Sequence, residues 1–280
     1  MSLAVIGRHR DLAIAIALLG FGLVLPFFFE EGSPFMDDAV TALAYVVMAL
    51  GLNIVVGFAG LLDLGYVAFF AIGAYTIGWL ASGFAFDIND GKGIHVGVSE
   101  FVQNLPGIHL NFLLVVVAAV ITTAIAGALI GLPTLRLRGD YIAIVTLAFG
   151  EIIRVFALNG NEIEFGGYTL TNGAQGITPV DKIDLPFGAQ FTSLNLRPWF
   201  WTALGMVALV LFVNFRLRDS RLGRAWIAVR EDEVAAASMG VPLVRTKLLA
   251  YATGAAFGGI SGAFLGSYLN TVNSEQFQFS

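Results

Sequence analysis

The chain has no cysteine and three histidines among its 280 residues, and 12% of it is charged. Without cysteine there is no disulfide framework and no thiolate metal site. His9, His95 and His109 stand apart from any carboxylate at metal-ligand spacing, so no catalytic residue, metal site or cofactor site is expected in this chain. The sequence holds no Gly-x-Ser-x-Gly elbow and no phosphate-binding Gly-x4-Gly-Lys-Ser/Thr loop, so any ATP that drives this protein must bind another chain. Soluble domains carry about 25% charged residues. With 57% apolar residues, this chain has too few charges to cover a water-facing surface.

What is there instead is a series of long apolar runs. Crossing roughly 30 Å of hydrocarbon at 1.5 Å per residue takes about 20 residues. Seven stretches meet that need, near 11–29, 39–57, 64–83, 112–132, 141–158, 199–215 and 247–270. The expected fold is an all-α polytopic transmembrane bundle, a single domain over 1–280. Pro26, Phe27, Phe28, Phe29 and Glu30 lack the small residues that a signal peptidase site requires, so the first span is expected to stay uncleaved after Arg8, His9 and Arg10.

Basic residues orient the bundle. Arg8, Arg10, Arg136, Arg138, Arg216, Arg218, Arg221, Arg224, Arg230, Arg245 and Lys247 all fall on one side, eleven of the fifteen. Lys92, Lys182 and Arg197 fall on the other. The positive-inside rule therefore places the amino terminus and the loop 216–247 in the cytoplasm, and the long loop 159–198 outside.

Three features within this frame invite a function. Gly254, Gly258, Gly262 and Gly266 recur every four residues and form one stripe where another helix can approach closely, within the subunit or across a subunit boundary. Glu151 and Arg154 share a helix face inside a span, and each alone near the bilayer centre costs about 2.5–3.5 kcal/mol, so the pair is expected to point inward. They read either as the lining of a polar path or gate, or as a structural ion pair with Arg154 snorkelling outward. Gly57, Gly60 and Gly65 bracket Asp63 between two spans, which permits a broken, re-entrant backbone or a tight turn.

The loop 216–247 contains a short helical pattern from Glu231 to Gly240 that is suited to contact with another protein. A purely polybasic, lipid-binding reading is weakened by Trp226, Glu231, Asp232 and Glu233 among its arginines. An ion-coupled secondary transporter is the competing class; Asp63 and Glu151 are the only candidates for its coupling site.

Several runs carry a resemblance. Gly51 to Leu80, the run Leu137-Arg-Gly-Asp-Tyr-Ile-Ala-Ile-Val-Thr-Leu-Ala-Phe-Gly-Glu-Ile-Ile-Arg154, Thr171-Asn-Gly-Ala-Gln-Gly-Ile177, and Ser220-Arg-Leu-Gly-Arg-Ala through Gly262 resemble the LivM-type permeases of branched-chain amino acid ABC transporters. The resemblance covers most of the chain, in the family's order. It implies a multi-pass subunit of a bacterial inner membrane that pairs with a LivH-type permease, two cytoplasmic ATPase subunits and a periplasmic substrate-binding protein. The partners are thus proteins and the lipid bilayer, with no nucleic acid. Similar permeases serve urea, amides or other amino acids, the binding protein doing most of the selecting.

The resemblance also gives the stretch holding Arg224, Arg230, Glu233, Ala235, Ala236 and Gly240 the role of docking helix on an ATPase. Two alanines precede a glycine there, but Val234 stands where the general pattern has glutamate, and Glu233 lies one position earlier. The chain ends at Ser280, where members of the family usually continue through further apolar helix, so the family's last helices are expected to be missing from it.

Overall fold

A computed structural model of the chain describes residues 19–99, 102–134, 140–165, 167–184 and 191–277. Arg8, His9, Arg10, Arg136, Arg138 and the first eight residues of the first expected span, 11–18, lie outside them. Nine helices are described: α1 (Leu19–Phe28), α2 (Pro34–Leu52), α3 (Val67–Leu80), α4 (Phe112–Thr134), α5 (Asp140–Asn159), α6 (Arg197–Arg218), α7 (Arg221–Glu231), α8 (Glu233–Ser238) and α9 (Leu243–Leu269). Among the described residues five helices are long and apolar enough to cross a membrane: α2 with its extension to Phe58, α4, α5 from Tyr141, α6 and α9. The apolar helices α1 and α3 are shorter.

Helix starts follow from local chemistry. Ser33 caps α2 by accepting from the Met36 N–H at 3.4 Å, and Pro34 occupies the first turn, where its missing N–H costs nothing. At the other end of α2 the backbone widens into a π-helical turn, Asn53–Phe58. Such turns are rare and concentrate at functional places.

The long helix α9 is the centre of the bundle, packed by α2, α3 and α4. Its glycine stripe is what lets them approach. A Cβ on Gly254 would meet Val55 Cγ2 at 2.4 Å, one on Gly258 Phe69 Cβ at 3.2 Å, one on Gly262 the Phe70 carbonyl oxygen at 2.0 Å, and one on Gly266 Ile77 Cγ2 at 2.8 Å. All four therefore face α2, α3 or the turn between them, within the chain. On another side of α9, a Cβ on Gly127 of α4 would lie 2.8 Å from the Tyr251 carbonyl oxygen. Hydrogen bonds cross these contacts: the Tyr66 hydroxyl donates to the Gly254 carbonyl at 2.6 Å, and the Ser261 hydroxyl to the Ala44 carbonyl at 2.6 Å. In hydrocarbon the apolar effect adds little between helices, so close packing and such bonds hold the core.

Connections alternate between two ends of the bundle. One end carries short strands: β1 (Ala81–Ser82), β2 (Ile94–Val96) and β3 (Ile108–Leu110) in the order β1-β3-β2, and a separate β4 (Glu164–Phe165) and β5 (Tyr168–Thr169) pair. β1 runs antiparallel to β3, with Ala81 opposite His109, and β2 runs parallel to it, with His95 opposite His109. Bridges from Ser82 to Val180 and from Ile177 to Val272 tie this cap together. The opposite end carries the α7–α8 hairpin.

Candidate functional site

The hairpin is built for a fixed position. Gly223 allows the turn out of α6, since a Cβ there would lie 2.1 Å from the Leu217 carbonyl oxygen. The Ser220 hydroxyl caps α7 by accepting from the Gly223 N–H at 3.1 Å. Trp226 is fully buried and donates from its indole nitrogen to the Thr246 carbonyl at 2.8 Å, pinning α7 to the start of α9. Asp232 caps α8, accepting from the Val234 and Ala235 N–H groups at 2.8 and 3.0 Å. Gly240, with φ +86°, closes α8: its N–H donates to the Ala237 carbonyl and that of Val241 to the Ala236 carbonyl. This is the left-handed glycine cap that ends many helices. No atom lies within 4 Å of where its Cβ would be, so the backbone angle alone demands glycine.

The residues expected at the docking segment divide into two groups. Ala235 and Gly240 are exposed, whereas Ala236 is buried. Three charged members turn back on the chain itself. Arg224 donates to the Asp219 carbonyl at 2.7 Å, at the end of α6. Glu233 pairs with the buried Lys247 at 2.5 Å. Arg230 donates to the Gly57 carbonyl at 2.6 Å and pairs with Glu231 at 2.7 Å. What α8 presents outward is apolar: Val234 is 72% and Met239 85% exposed. Sequence reasoning missed both as surface features, although two large apolar residues inside a polar loop were the available signal.

Arg230 leads to the break between α2 and α3. Its aliphatic stem lies where a Cβ on Gly60 would be, 2.4 Å from Cγ, and Gly60 has φ +69°. Segment 59–66 then threads into the bundle. The Leu64 N–H donates to the Thr146 hydroxyl at 3.0 Å, and Gly65 lies so close to α5 that a Cβ would be 1.8 Å from the Thr146 carbonyl oxygen. Tyr66 reaches Gly254, about 16 Å along α9 from its start. Ala59, Leu61, Asp63, Gly65 and Tyr66 of this stretch are buried, whereas Gly60, Leu62 and Leu64 are exposed, so the described chain covers one side of the non-helical backbone. Asp63 is buried there; one carboxylate oxygen accepts from the Gly65 N–H at 2.9 Å and the other has no partner among the described residues.

Glu151 and Arg154 do meet, with Arg154 Nε 3.0 Å from both carboxylate oxygens and Nη2 2.5 Å from one. They stand on the face of α5 that turns away from the rest of the described chain, with the Glu151 side chain 57% exposed. At the strand-bearing end, the His109 Nδ1 lies 2.6 Å from Asp181, and the His95 ring stacks on that of His109 at 5.3 Å. Burial opposes charge on His109, but the Asp181 hydrogen bond and charge and the Pro106 carbonyl outweigh it, so its pKa rises above the ordinary 6.5. Among the described residues no three of His, Asp or Glu converge to hold a metal.

The family described as "Branched-chain amino acid transport system / permease component" matches residues 36–280. The chain belongs to it. It is 38% identical to the LivM high-affinity branched-chain amino acid transport permease proteins of Salmonella typhimurium and Escherichia coli, over 95% of this chain and 59% of each of theirs. It is 27% identical to the probable LivM protein of Methanocaldococcus jannaschii, over 82% of this chain and 65% of that one. A LivH permease protein of Escherichia coli is 33% identical over 31% of this chain and 27% of its own length. The chain thus spans about three-fifths of the bacterial LivM relatives. No solved structure gives a significant match.

Proposed function

We propose that this chain is the membrane-spanning permease subunit of an ABC importer for branched-chain amino acids, supplying half of the translocation path and performing no covalent chemistry of its own. The α7–α8 hairpin carries the reading: a rigidly capped helix at one end of an apolar bundle, with Val234 and Met239 exposed on it. Large apolar side chains on a short capped helix fit a partner's groove. The same end holds Arg216, Arg218, Arg221, Arg224, Arg230, Arg245 and Lys247, while Lys92, Lys182 and Arg197 sit at the other, which supports a cytoplasmic hairpin and a cytoplasmic amino terminus.

In this reading α8 docks on one of two ATPase subunits, a LivH-type permease completes the path, and a periplasmic binding protein delivers cargo to the strand-bearing end. The seat is a bacterial inner membrane. Arg230 links the gripped hairpin to the helix break at Gly57–Gly65, so motion of α8 reaches backbone at the depth of the path. The test is Gly240→Trp in the assembled transporter. A side chain there strains the left-handed cap and obstructs the groove contact, so ATP hydrolysis should uncouple from amino-acid uptake while the spans stay folded. Normal uptake at wild-type expression would exclude the docking role.

A further inference from the structure

The outward face of α5 combines two features that ordinary lipid contact does not explain. Glu151 and Arg154 form their ion pair there, within the span Tyr141–Asn159, with the Glu151 side chain exposed and that of Arg154 half-buried. Charges at that depth require protein or water beside them. Beside Glu151, Ala148, Ile152, Val155 and Phe156 of the same helix form a shallow, open apolar surface. At 100° per residue, Val155, Ala148 and Ile152 follow Glu151 around the helix on one side, and Arg154 adjoins it on the other. One helix face therefore presents a cation, an anion and an apolar shelf in sequence.

We propose that this face is a transient cargo site, in which Arg154 takes the α-carboxylate of an amino acid, Glu151 takes its α-ammonium group and the shelf takes its aliphatic side chain. The occupant is set by charge complementarity. A zwitterion can replace each partner of the ion pair with an opposite charge of its own, so neither Glu151 nor Arg154 is left unpaired during passage. A neutral solute such as urea offers neither charge, and the shelf offers it no hydrogen bonds. The proposal rests on the permease reading and narrows its cargo to zwitterions with apolar side chains.

These 280 residues hold no cysteine, so each variant adds a single thiol to them, and the parent complex under the same reagent gives the background from the partner subunits. The assembled transporter in proteoliposomes is first assayed for L-leucine uptake, then Ile152→Cys, Val155→Cys and Ile121→Cys are exposed to a cationic, membrane-impermeant methanethiosulfonate. Ile121, exposed on α4, serves as the control. The expected result is reaction at 152 and 155, slowed several-fold by saturating L-leucine, with none at 121. Glu151→Gln should raise the half-saturating L-leucine concentration about tenfold, as loss of one charged hydrogen bond implies. Unprotected or absent labelling at 152 and 155, equal labelling at 121, or an unchanged half-saturation in Glu151→Gln overturns the site while the parent's uptake leaves the permease reading standing. Absent uptake by the parent complex removes that reading and the site with it.

Discussion

The glycine stripe on α9 gives a graded test of the packing, because its four positions differ in what a methyl group would strike. At Gly262 the new Cβ would lie 2.0 Å from the Phe70 carbonyl oxygen and 2.9 Å from the Ala74 nitrogen, both backbone atoms of α3. Reaching an ordinary 3.4 Å contact would require α3 and α9 to part by about 1.4 Å locally. Overpacking of that kind costs about 1–3 kcal/mol, and it also loosens the dispersion contacts of a helix pair that has little else to hold it. At Gly258 the nearest atom is the Phe69 Cβ at 3.2 Å, a shortfall of a few tenths of an ångström. Alanine gains about 1 kcal/mol over glycine in helix propensity at either site. Gly258→Ala should therefore be near neutral and Gly262→Ala clearly destabilising. In detergent, thermal unfolding should show Gly262→Ala lowered by several degrees, at about 2–4 °C per kcal/mol, and Gly258→Ala within a degree or two of the parent. Equal midpoints for the two variants would refute the assigned α3–α9 contact.

Arg230→Ala removes the bond to Gly57 and the stem that covers Gly60; uptake should fall severalfold while ATPase subunits still co-purify, and loss of co-purification would return Arg230 to the docking surface. The His109–Asp181 pair makes a pH prediction. The folded pKa of His109 lies above its unfolded 6.5, so its contribution to stability is fully present below about pH 6.5 and is lost as pH rises through the raised value. The unfolding midpoint should fall between pH 6 and pH 8, and His109→Gln should lose that part of the dependence; an identical pH profile in the variant would refute the linkage.

Much of the bundle was legible because its signal is strong and one-dimensional. A run of apolar residues long enough for the bilayer marks α4, α6 and α9 without reference to any neighbour. The run near 64–83 was less faithful: it suggested a full span, but the helix begins only at Val67 and ends at Leu80, because Leu64–Tyr66 forms a bend and turn tied to Thr146 and Gly254. No periodicity reports that. The four-residue spacing of glycines fixed a face on α9, yet which helices would fill it depended on which came near.

The sequence by itself determined that this chain is a helical membrane protein of the branched-chain permease family, since hydropathy and motif order are carried residue by residue. Tertiary structure alone decided the direction of the polar groups. Arg224, Arg230 and Glu233 fold back onto Asp219, Gly57 and Lys247, leaving Val234 and Met239 outermost, while Glu151 and Arg154 turn away from the described bundle. A side chain's partner is set by the distance left between elements far apart in the chain, and that distance exists only once the helices have packed.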